Sequence, residues 1–432
     1  MLGGNYMRLN GEQEEMLSGK YGRGTQKAIE ILVALGEAQG AEELVEISYA
    51  HLMPPDVMFF PYGRQGRWAH EMTHELTMDI DRLRVTATIE PLFCDLAIAK
   101  TLQFSDDMIA EMHKIQGAAS DFYERIGVIP NYSALPFYVR PGKLGEHVSI
   151  AESIAILWYN SMFGSRCERD DGVTSLSAAI TGYCPLAGSH LSENRPGEVT
   201  IRLGDDLDFE QFTDADWDAF SLASSRLCKE KRPVFVGIPR NIGITDLKHL
   251  FAVIAVESGL AVMHIVGVTP EAPSLETALG GKEPQAEYVV GKKELLEAYQ
   301  LANTTSDRDI DFILLGCPHL TLRELRELAE ELDGKKIKDG VNLVAVTTRM
   351  LLEQARDMGY VNAIQNAGGI VSGDMCIAFA GTQVTGVIAT NSIKADFFYA
   401  GFSAEGKRKV RFGSTRDCAR SALTGKWEGR VL

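Results

Sequence analysis

Asp311-Phe312-Ile313-Leu314-Leu315-Gly316-Cys317-Pro318-His319 opens the stretch, running on to Tyr399, whose reading decides the fold. Four short apolar runs in it each end on a polar or reactive residue. Asp311–Gly316 runs into Cys317-Pro318-His319, Val341–Val346 into Thr347-Thr348, Ile370–Met375 into Cys376, and Thr385–Thr390 into Asn391-Ser392. Helical patterns follow at least three of them. Thr321-Leu322-Arg323-Glu324 is a capping box opening a helix over Leu322–Leu332, Met350–Met358 is helical, and Lys394–Tyr399 reads as a first turn. Strand–helix alternation predicts a parallel sheet, and ligands of such sheets collect at the carboxyl ends of the strands. Two thiols, two threonines, an Asn-Ser pair and Lys394 are therefore expected on one rim.

Outward from that stretch, the chain has 432 residues, 45% hydrophobic and 24% charged. That is the composition of an ordinary soluble globular protein, with room for about two to four domains, and the alternation makes its class α/β. The net charge of −16 excludes a nucleic-acid partner, because no basic stripe is large enough to displace counterions from phosphates. Any anionic substrate must find local positive charge. Met1–Tyr6 lacks the basic-then-apolar order of a leader. The longest apolar stretch, Phe251–Val268, is interrupted by Glu257, Ser258, Gly259 and His264, so it reads as a buried helix turning into a strand and no membrane partner is expected. Seven scattered cysteines form no disulfide framework and point to the cytoplasm.

Toward the N-terminus, Asn10 to Gln13 looks like a helix cap and Thr25–Gln39 has helical spacing. Leu44–Ala50 and Arg84–Ile89 read as strands, the latter halting at Glu90-Pro91; Ala69–Asp79 and Asp106–Ala119 read as helices. Pro130–Gly197 is polar and aperiodic apart from a helix near Ala151–Phe163, which marks functional loops. Thr213–Lys229 is a capped helix, Pro233–Ile238 a strand, Leu247–Ser258 a helix and Ala261–Val266 a strand. Ser274–Asp309 is mixed and charged, with a helix over Lys292–Ala302, and serves best as a connection between lobes. The division expected is 1–290, holding N-terminal and central lobes with the substrate loops 130–197, and 291–432, a C-terminal α/β lobe carrying Cys317 and Cys376.

Several constellations can carry chemistry. Cys317 and Cys376 each follow an inferred strand; thiolates bind iron or iron–sulfur centres, and buried cysteines are equally common core residues. Glu146-His147 can serve as acid and base, or as a cap and a surface imidazole. Arg166, Arg169 and Arg195, with His190, sit in Gly-rich loops suited to a small anion, or else form surface ion pairs. Val266-Gly267-Val268-Thr269-Pro270 is first of all a turn, with Thr269 a second-choice site residue. No Walker loop, strand-linked Gly-x-Gly-x-x-Gly, His-Glu-x-x-His or Gly-x-Ser-x-Gly occurs in the right context.

Taken in order, Gln13–Leu17, Gly145–Ser153, Asn160–Arg166, Ala178–Gly182 with His190 to Arg195, Gly267–Pro273, Gly316–Leu320 and Thr390–Lys394 resemble the large subunit of aconitase X, the predicted aconitases. The resemblance implies an aconitase-like, multi-lobed body of parallel sheets flanked by helices, without the swivelling domain, which would be a separate small subunit. It implies a hydro-lyase acting on a small hydroxy acid; family members dehydrate cis-3-hydroxy-L-proline or, in archaea, mevalonate 5-phosphate. It also implies an iron or iron–sulfur centre on three cysteines. Two fall on Cys317 and Cys376. The third position is Ser133, in Ser133-Ala134-Leu135-Pro136, and a serine oxygen is a much poorer partner for such a metal than a thiolate. Cys167 and Cys184 are the alternative third donors. The family's Arg-Thr-Asn-Arg-Glu is Arg166-Cys167-Glu168-Arg169-Asp170 here, and its Glu-Ser-Ser is Glu152-Ser153-Ile154.

On this reading Arg166, Arg195, Ser392 and Lys394 hold the carboxylate and the enolate charge, with Asn160, Ser161, Thr269 and Asn391 lining the substrate site. Ser153 joins the catalytic set. His190 with Glu193, or Glu146 with His147, protonates the departing hydroxide, and the proton-abstracting base, a serine, comes from the small subunit. The competing expectations are a metal-independent dehydratase or racemase and a non-catalytic, ligand-binding subunit.

Overall fold

The structure, a computed structural model, describes residues 7–54, 64–402 and 408–429, with the backbone alone at 64–67 and 400–402. Met1–Tyr6, read above for a leader, lie outside the described residues. Three parallel sheets carry the chain. The first orders its strands Val128–Ile129, Thr86–Ile89, Tyr49–Leu52 and Ser149–Ile150. The second orders Glu287–Val290, Val199–Leu203, Pro233–Val236 and His264–Ile265. The third orders Ile370–Gly373, Asn342–Thr347, Phe312–Leu320, Val387–Thr390 and Lys409–Phe412. All neighbouring strands within these sheets run parallel. A separate antiparallel pair joins Leu44–Glu46 to Tyr183–Pro185.

The third sheet shows why the alternation in its sequence matters. Phe312, Leu314, Val344, Val346, Ile388 and Val410 face a core shared with the first lobe, among them Ile89, Phe93 and Met112. Ile313, Leu315, Leu343, Ala345, Val387 and Ala389 face the opposite core, built with Leu325, Leu328 and Ala329 of the helix Leu322–Leu332. Successive side chains of a strand point to opposite faces, so both halves of each apolar run are buried. The helix begins where the capping box placed it: Thr321 accepts from the Glu324 N–H, and Glu324 reaches back to the Thr321 N–H at 2.8 Å. Burial of Met112 is complete, with Met108, Ile109 and Ile115 half-buried on the same helix, Asp106–Arg125.

Three readings change. Leu44–Ala50 is two strands in two sheets, because the chain turns after Glu46 and Ser48 bonds to the His147 carbonyl. The aperiodic stretch before Gly197 hides a second helix, Gly172–Thr181. Its serines and threonines are buried against the helix Arg23–Gln39, so no polar face marks its period. The charged segment Ser274–Asp309 supplies the edge strand Glu287–Val290 and the helix Lys292–Ala302, whose Leu295, Ala298 and Ala302 sit in the central core. Tyr299 donates to Asp216 at 2.9 Å across that contact. We therefore place the lobe boundary after Ala302 rather than at 290/291.

Central and C-terminal lobes are joined by a buried ionic network. Lys248 Nζ lies 2.6 Å from Glu324, whose other oxygen takes His249 Nε2 at 3.0 Å and Asn391 Nδ2 at 3.1 Å. His249 Nδ1 meets Asp218 at 2.8 Å, and Asp214 accepts from the Thr415 hydroxyl at 2.6 Å. Asp214, His249 and Glu324 are close enough together to suggest a metal site. The geometry of His249 argues against one, since both its ring nitrogens face carboxylates, Asp218 and Glu324, and each such contact takes an N–H. Burial and the Lys248 ammonium oppose the ring's second proton, yet the Asp218 carboxylate and the hydrogen bonds to Asp218 and Glu324 outweigh them and raise the group to about 9. An imidazolium has no lone pair for a metal.

Two expectations follow from this architecture. The unfolded imidazole titrates near 6.5, so the stabilisation from protonated His249 is complete below that pH and is lost as pH rises through about 9. Urea midpoints should fall across that window by the equivalent of about 3 kcal/mol, and His249→Gln should flatten the fall; a flat wild-type profile refutes the assignment. At Gly316 the backbone adopts φ 111°, and an added Cβ would lie 2.2 Å from the Val346 carbonyl oxygen. Gly316→Ala should lower stability by ~2–4 kcal/mol, measured by the same titration.

Candidate active site

The third sheet loses its regular register between Leu315 and Leu320, at Gly316-Cys317-Pro318-His319, where the Cys317–Pro318 bond is cis. This irregular end of the strand turns Cys317 into a cavity of about 210 Å³. Cys376 enters the same cavity from the turn after Ile370–Gly373, and Lys394 from the first turn of the helix Ile393–Phe402. Glu152 and Ser153 arrive at the start of the helix Ser153–Met162, and Glu90 directly after the strand Thr86–Ile89. His319 and Phe398 complete the wall. A larger cavity of about 450 Å³, beside Trp217, Asp246 and Arg323, carries neither a thiol nor a lysine.

Charge in the small cavity is tightly arranged. Lys394 Nζ lies 2.5 Å from Glu152 and 3.0 Å from the Ser153 hydroxyl. Burial opposes the Lys394 charge, but the Glu152 carboxylate outweighs it and holds the ammonium above its usual range. Glu152 also caps its helix by accepting the Ala155 N–H at 2.7 Å. Burial, then the nearby Glu152 charge, pushes Glu90 well above the carboxylate range. Burial likewise raises both thiols, Cys376 to about 12 and Cys317 further. His319 is lowered to about 4 by burial and bonds the Met375 carbonyl through Nε2 at 2.9 Å. It is a neutral ring.

Of the rim residues expected from the sequence, the cavity therefore gathers Cys317, Cys376 and Lys394, and Ser153 of the expected catalytic set joins them. The others do local work. Thr347 donates to the Leu320 carbonyl and Thr348 caps the helix Arg349–Asp357. Ser392 donates to the Cys317 carbonyl and accepts the Ala395 N–H, and Asn391 belongs to the Glu324 network.

The polar stretch before Gly197 lends the cavity Ala134, Ala151, Glu152 and Ser153, and its remaining site candidates form a second cluster that does not line it. Arg195, expected to hold a carboxylate, has every N–H engaged, on Glu271, on Asn160 Oδ1 at 2.8 Å, on the Asn160 carbonyl at 2.9 Å and on the Ser189 carbonyl at 2.8 Å. Arg166 holds the His190 carbonyl at 2.6 Å and the Ser192 hydroxyl at 2.8 Å. Ser161 accepts the Met263 N–H and Thr269 the Ile265 N–H, each at 3.0 Å. Glu146 pairs with Arg140 and Ser48 rather than with His147. His147 stacks on His190 with their Nδ1 atoms 2.9 Å apart, while Glu193 is exposed in the turn Ser192–Asn194. Burial lowers both imidazoles, His190 to about 3, so neither carries an acidic proton at neutral pH.

The donors present do not fit a three-thiolate iron centre. Only Cys317 and Cys376 among the cysteines line the cavity. Ser133 turns its hydroxyl to the Leu135 N–H at 2.9 Å, and it is Ala134, not Ser133, that lines the cavity. Cys167 is bonded to Asn160, and Cys184 lies 3.6 Å from His190 in the second cluster. Among the described residues, the one group of three preassembled donors is the Asp214–His249–Glu324 set already accounted for.

Sequence reasoning missed Glu90 and His319. Glu90 closes an expected strand, and its only signal is a carboxylate between an apolar strand and a proline. His319 stands beside Cys317 in the sequence with no role expected of it.

Comparison with known proteins matches this geometry to a family. Sequence models of the first, second and third domains of aconitase X match residues 6–193, 197–300 and 310–424. The phosphomevalonate dehydratase large subunit of Methanothermobacter thermautotrophicus is 32% identical over 406 residues, 93% of this chain and 96% of that one. The cis-3-hydroxy-L-proline dehydratase of Pseudomonas aeruginosa is 27% identical over 97% of this chain and 70% of its own length. The holo-form of Thermococcus kodakaraensis aconitase X superposes with a TM-score of 0.81 at 28% identity, covering 96% of this chain and all of that one. No helix among the described residues is long and apolar enough to cross a membrane. With an aconitase-like fold and dehydratases as its relatives, the chain belongs to the aconitase X family and is a hydro-lyase of the aconitase superfamily.

Proposed function

We propose that this chain is the large subunit of a two-part dehydratase that removes water from a small hydroxy acid of the cis-3-hydroxy-L-proline kind, in the cavity of Cys317, Cys376 and Lys394. The observation that carries the reading is the convergence of Lys394 with Glu152 and Ser153, from segments 242 residues apart, beside two thiols. The lining carries Lys394, Glu152 and Glu90 and no arginine. A phosphate dianion would meet a single ammonium already paired with a carboxylate. A ring amino acid brings its own cation to Glu152 and its own carboxylate to Lys394. That charge balance favours the hydroxyproline-type substrate over a phosphorylated one such as mevalonate 5-phosphate.

Removal of a hydroxyl beta to a carboxylate needs a base for the alpha proton, charge stabilisation for the enolate, and a proton for the departing oxygen. Lys394, fixed by Glu152, stabilises the carboxylate as charge builds. The base is assigned to the small subunit: several relatives are themselves large subunits, and the hydroxyproline dehydratase has a further portion this chain does not cover. Thiols that stay protonated and wholly unpaired in disulfides support a cytoplasmic location. A metal-independent elimination suits the two-thiol cavity better than a cluster-dependent one. A non-catalytic subunit is the weaker reading, because a buried charge pair facing an open cavity is costly to keep without use.

Co-purification with the small-subunit gene product, followed by product analysis on cis-3-hydroxy-L-proline and on mevalonate 5-phosphate, tests this. The complex should dehydrate the first and spare the second, and the isolated chain should do neither. In the complex, Lys394→Gln should lower kcat/KM by about 100-fold or more and cost ~3–5 kcal/mol of stability by leaving Glu152 buried and unpaired. Turnover by the large chain alone would refute the two-part site.

A further inference from the structure

We propose that Glu90 is a catalytic acid of this cavity, holding the proton that departs with the substrate's hydroxyl. The proposal rests on the dehydratase reading above and adds a residue to it.

Hydroxide is a poor leaving group, so the oxygen must be met by a Lewis acid or by a proton. The titratable residues lining the cavity are Glu90, Glu152, His319, Lys394 and the two thiols. Lys394 and Glu152 hold one another, and His319 gives its Nε2 proton to the Met375 carbonyl. Glu90 stands apart from this arrangement. It is buried and lines the cavity, and its hydrogen-bond partner is a histidine rather than a cation: His51 Nε2 lies 2.9 Å from Glu90 Oε1. His51 is wholly buried, and its Nδ1 lies 2.7 Å from the Thr88 hydroxyl, which in turn meets the Tyr49 hydroxyl.

Both ends of that ring are bonded, so the row has two settings. With the imidazole proton on Nδ1, directed at Thr88, Nε2 is an acceptor and Glu90 is the donor. With the proton on Nε2, Glu90 is the carboxylate acceptor. The surroundings favour the first. Burial and the Glu152 charge raise Glu90, Lys394 opposes them, and burial lowers His51 to about 3, so the ring itself stays neutral. The groups that face Glu90 are His51 from the strand beside it, Glu152, Lys394, and Cys376 from the C-terminal lobe, with Cys317 and His319 across the cavity.

The step balances as a simple elimination. The base takes the alpha proton, that C–H pair becomes the new C=C bond, and the C–O bond breaks. The oxygen leaves as water with the proton from Glu90. Glu90, left as a carboxylate, is reprotonated from solvent once water has gone.

Glu90→Gln keeps the size and the bond to His51 but removes the acid; Glu90→Asp keeps the acid and controls for folding. In the two-subunit complex, Glu90→Gln should lower kcat by about 100-fold or more with KM changed less than about threefold. It should also abolish the fall in rate at high pH, which Glu90→Asp should retain. A second readout needs no substrate: infrared spectra of the wild-type large chain minus those of Glu90→Gln, at neutral pH, should contain a protonated-carboxyl band, distinct from the band that Asp170→Asn removes, since burial raises Asp170 to about 7. Near-wild-type kcat in Glu90→Gln, an unaltered high-pH limb, or a wild-type-minus-Glu90→Gln difference with no protonated-carboxyl band would each overturn the proposal. If no hydroxy acid is turned over by the wild-type complex, the dehydratase reading fails on its own, and the infrared result still decides whether Glu90 holds the proton.

Discussion

The 2.5 Å contact between Lys394 and Glu152 is the constraint on which the site depends. It pins the first turns of two helices, Ser153–Met162 and Ile393–Phe402, against one another from opposite lobes. Removing two charges from water costs several kcal/mol per ion, and attraction in a low dielectric offsets this only with good geometry and further hydrogen bonds. Both conditions are met, by the Ala155 N–H on the carboxylate and the Ser153 hydroxyl on the ammonium. The pair also directs two helix N-termini toward one cavity, and their partial positive charge favours a carboxylate there.

Around that pair the chemistry has been redistributed relative to what the family resemblance implies. Two thiols remain, both held protonated by burial, and Ser133 at the third donor position does not line the cavity, where its neighbour Ala134 does. Sulfur without a third partner is poorly placed to hold a cluster and does little as an acid. A buried carboxyl can do what a Lewis acid does for a leaving oxygen, because burial keeps its proton in place until the transition state draws it off. Loss of one function and gain of the other are thus compatible within a single cavity.

Much of the fold could be read from the chain. The helices Leu322–Leu332 and Lys292–Ala302 begin and end where the sequence placed them, since each opens on a box in which a glutamate reaches back to the cap. The parallel sheet was legible because both of its faces are buried and its strands are continuously apolar. Gly172–Thr181 was not, since a helix buried on all sides with small hydroxylated residues has no polar stripe to mark it. At the site, Cys317, Cys376 and Lys394 were legible as strand-end residues of one sheet. The arginines misled for a physical reason. Arg195 is spent on structure, tying its loop to the neighbouring segments by binding Asn160, Ser189 and Glu271. Glu90 was hidden because its importance comes from a neighbour, His51, that lies on another strand.

The five-stranded sheet has a consequence for how the molecule could be divided. One of its faces is covered by helices of its own lobe, but Phe312, Leu314, Val344, Val346, Ile388 and Val410 are covered from elsewhere in the chain. Although a separate sequence model describes this region, it is not a self-sufficient folding unit: cut loose, it would expose an apolar slab the width of several strands, an invitation to aggregation. Any recombination that moves this lobe into another protein must bring along a matching roof, and the thiols would travel without the lysine's carboxylate partner unless that roof included Glu152.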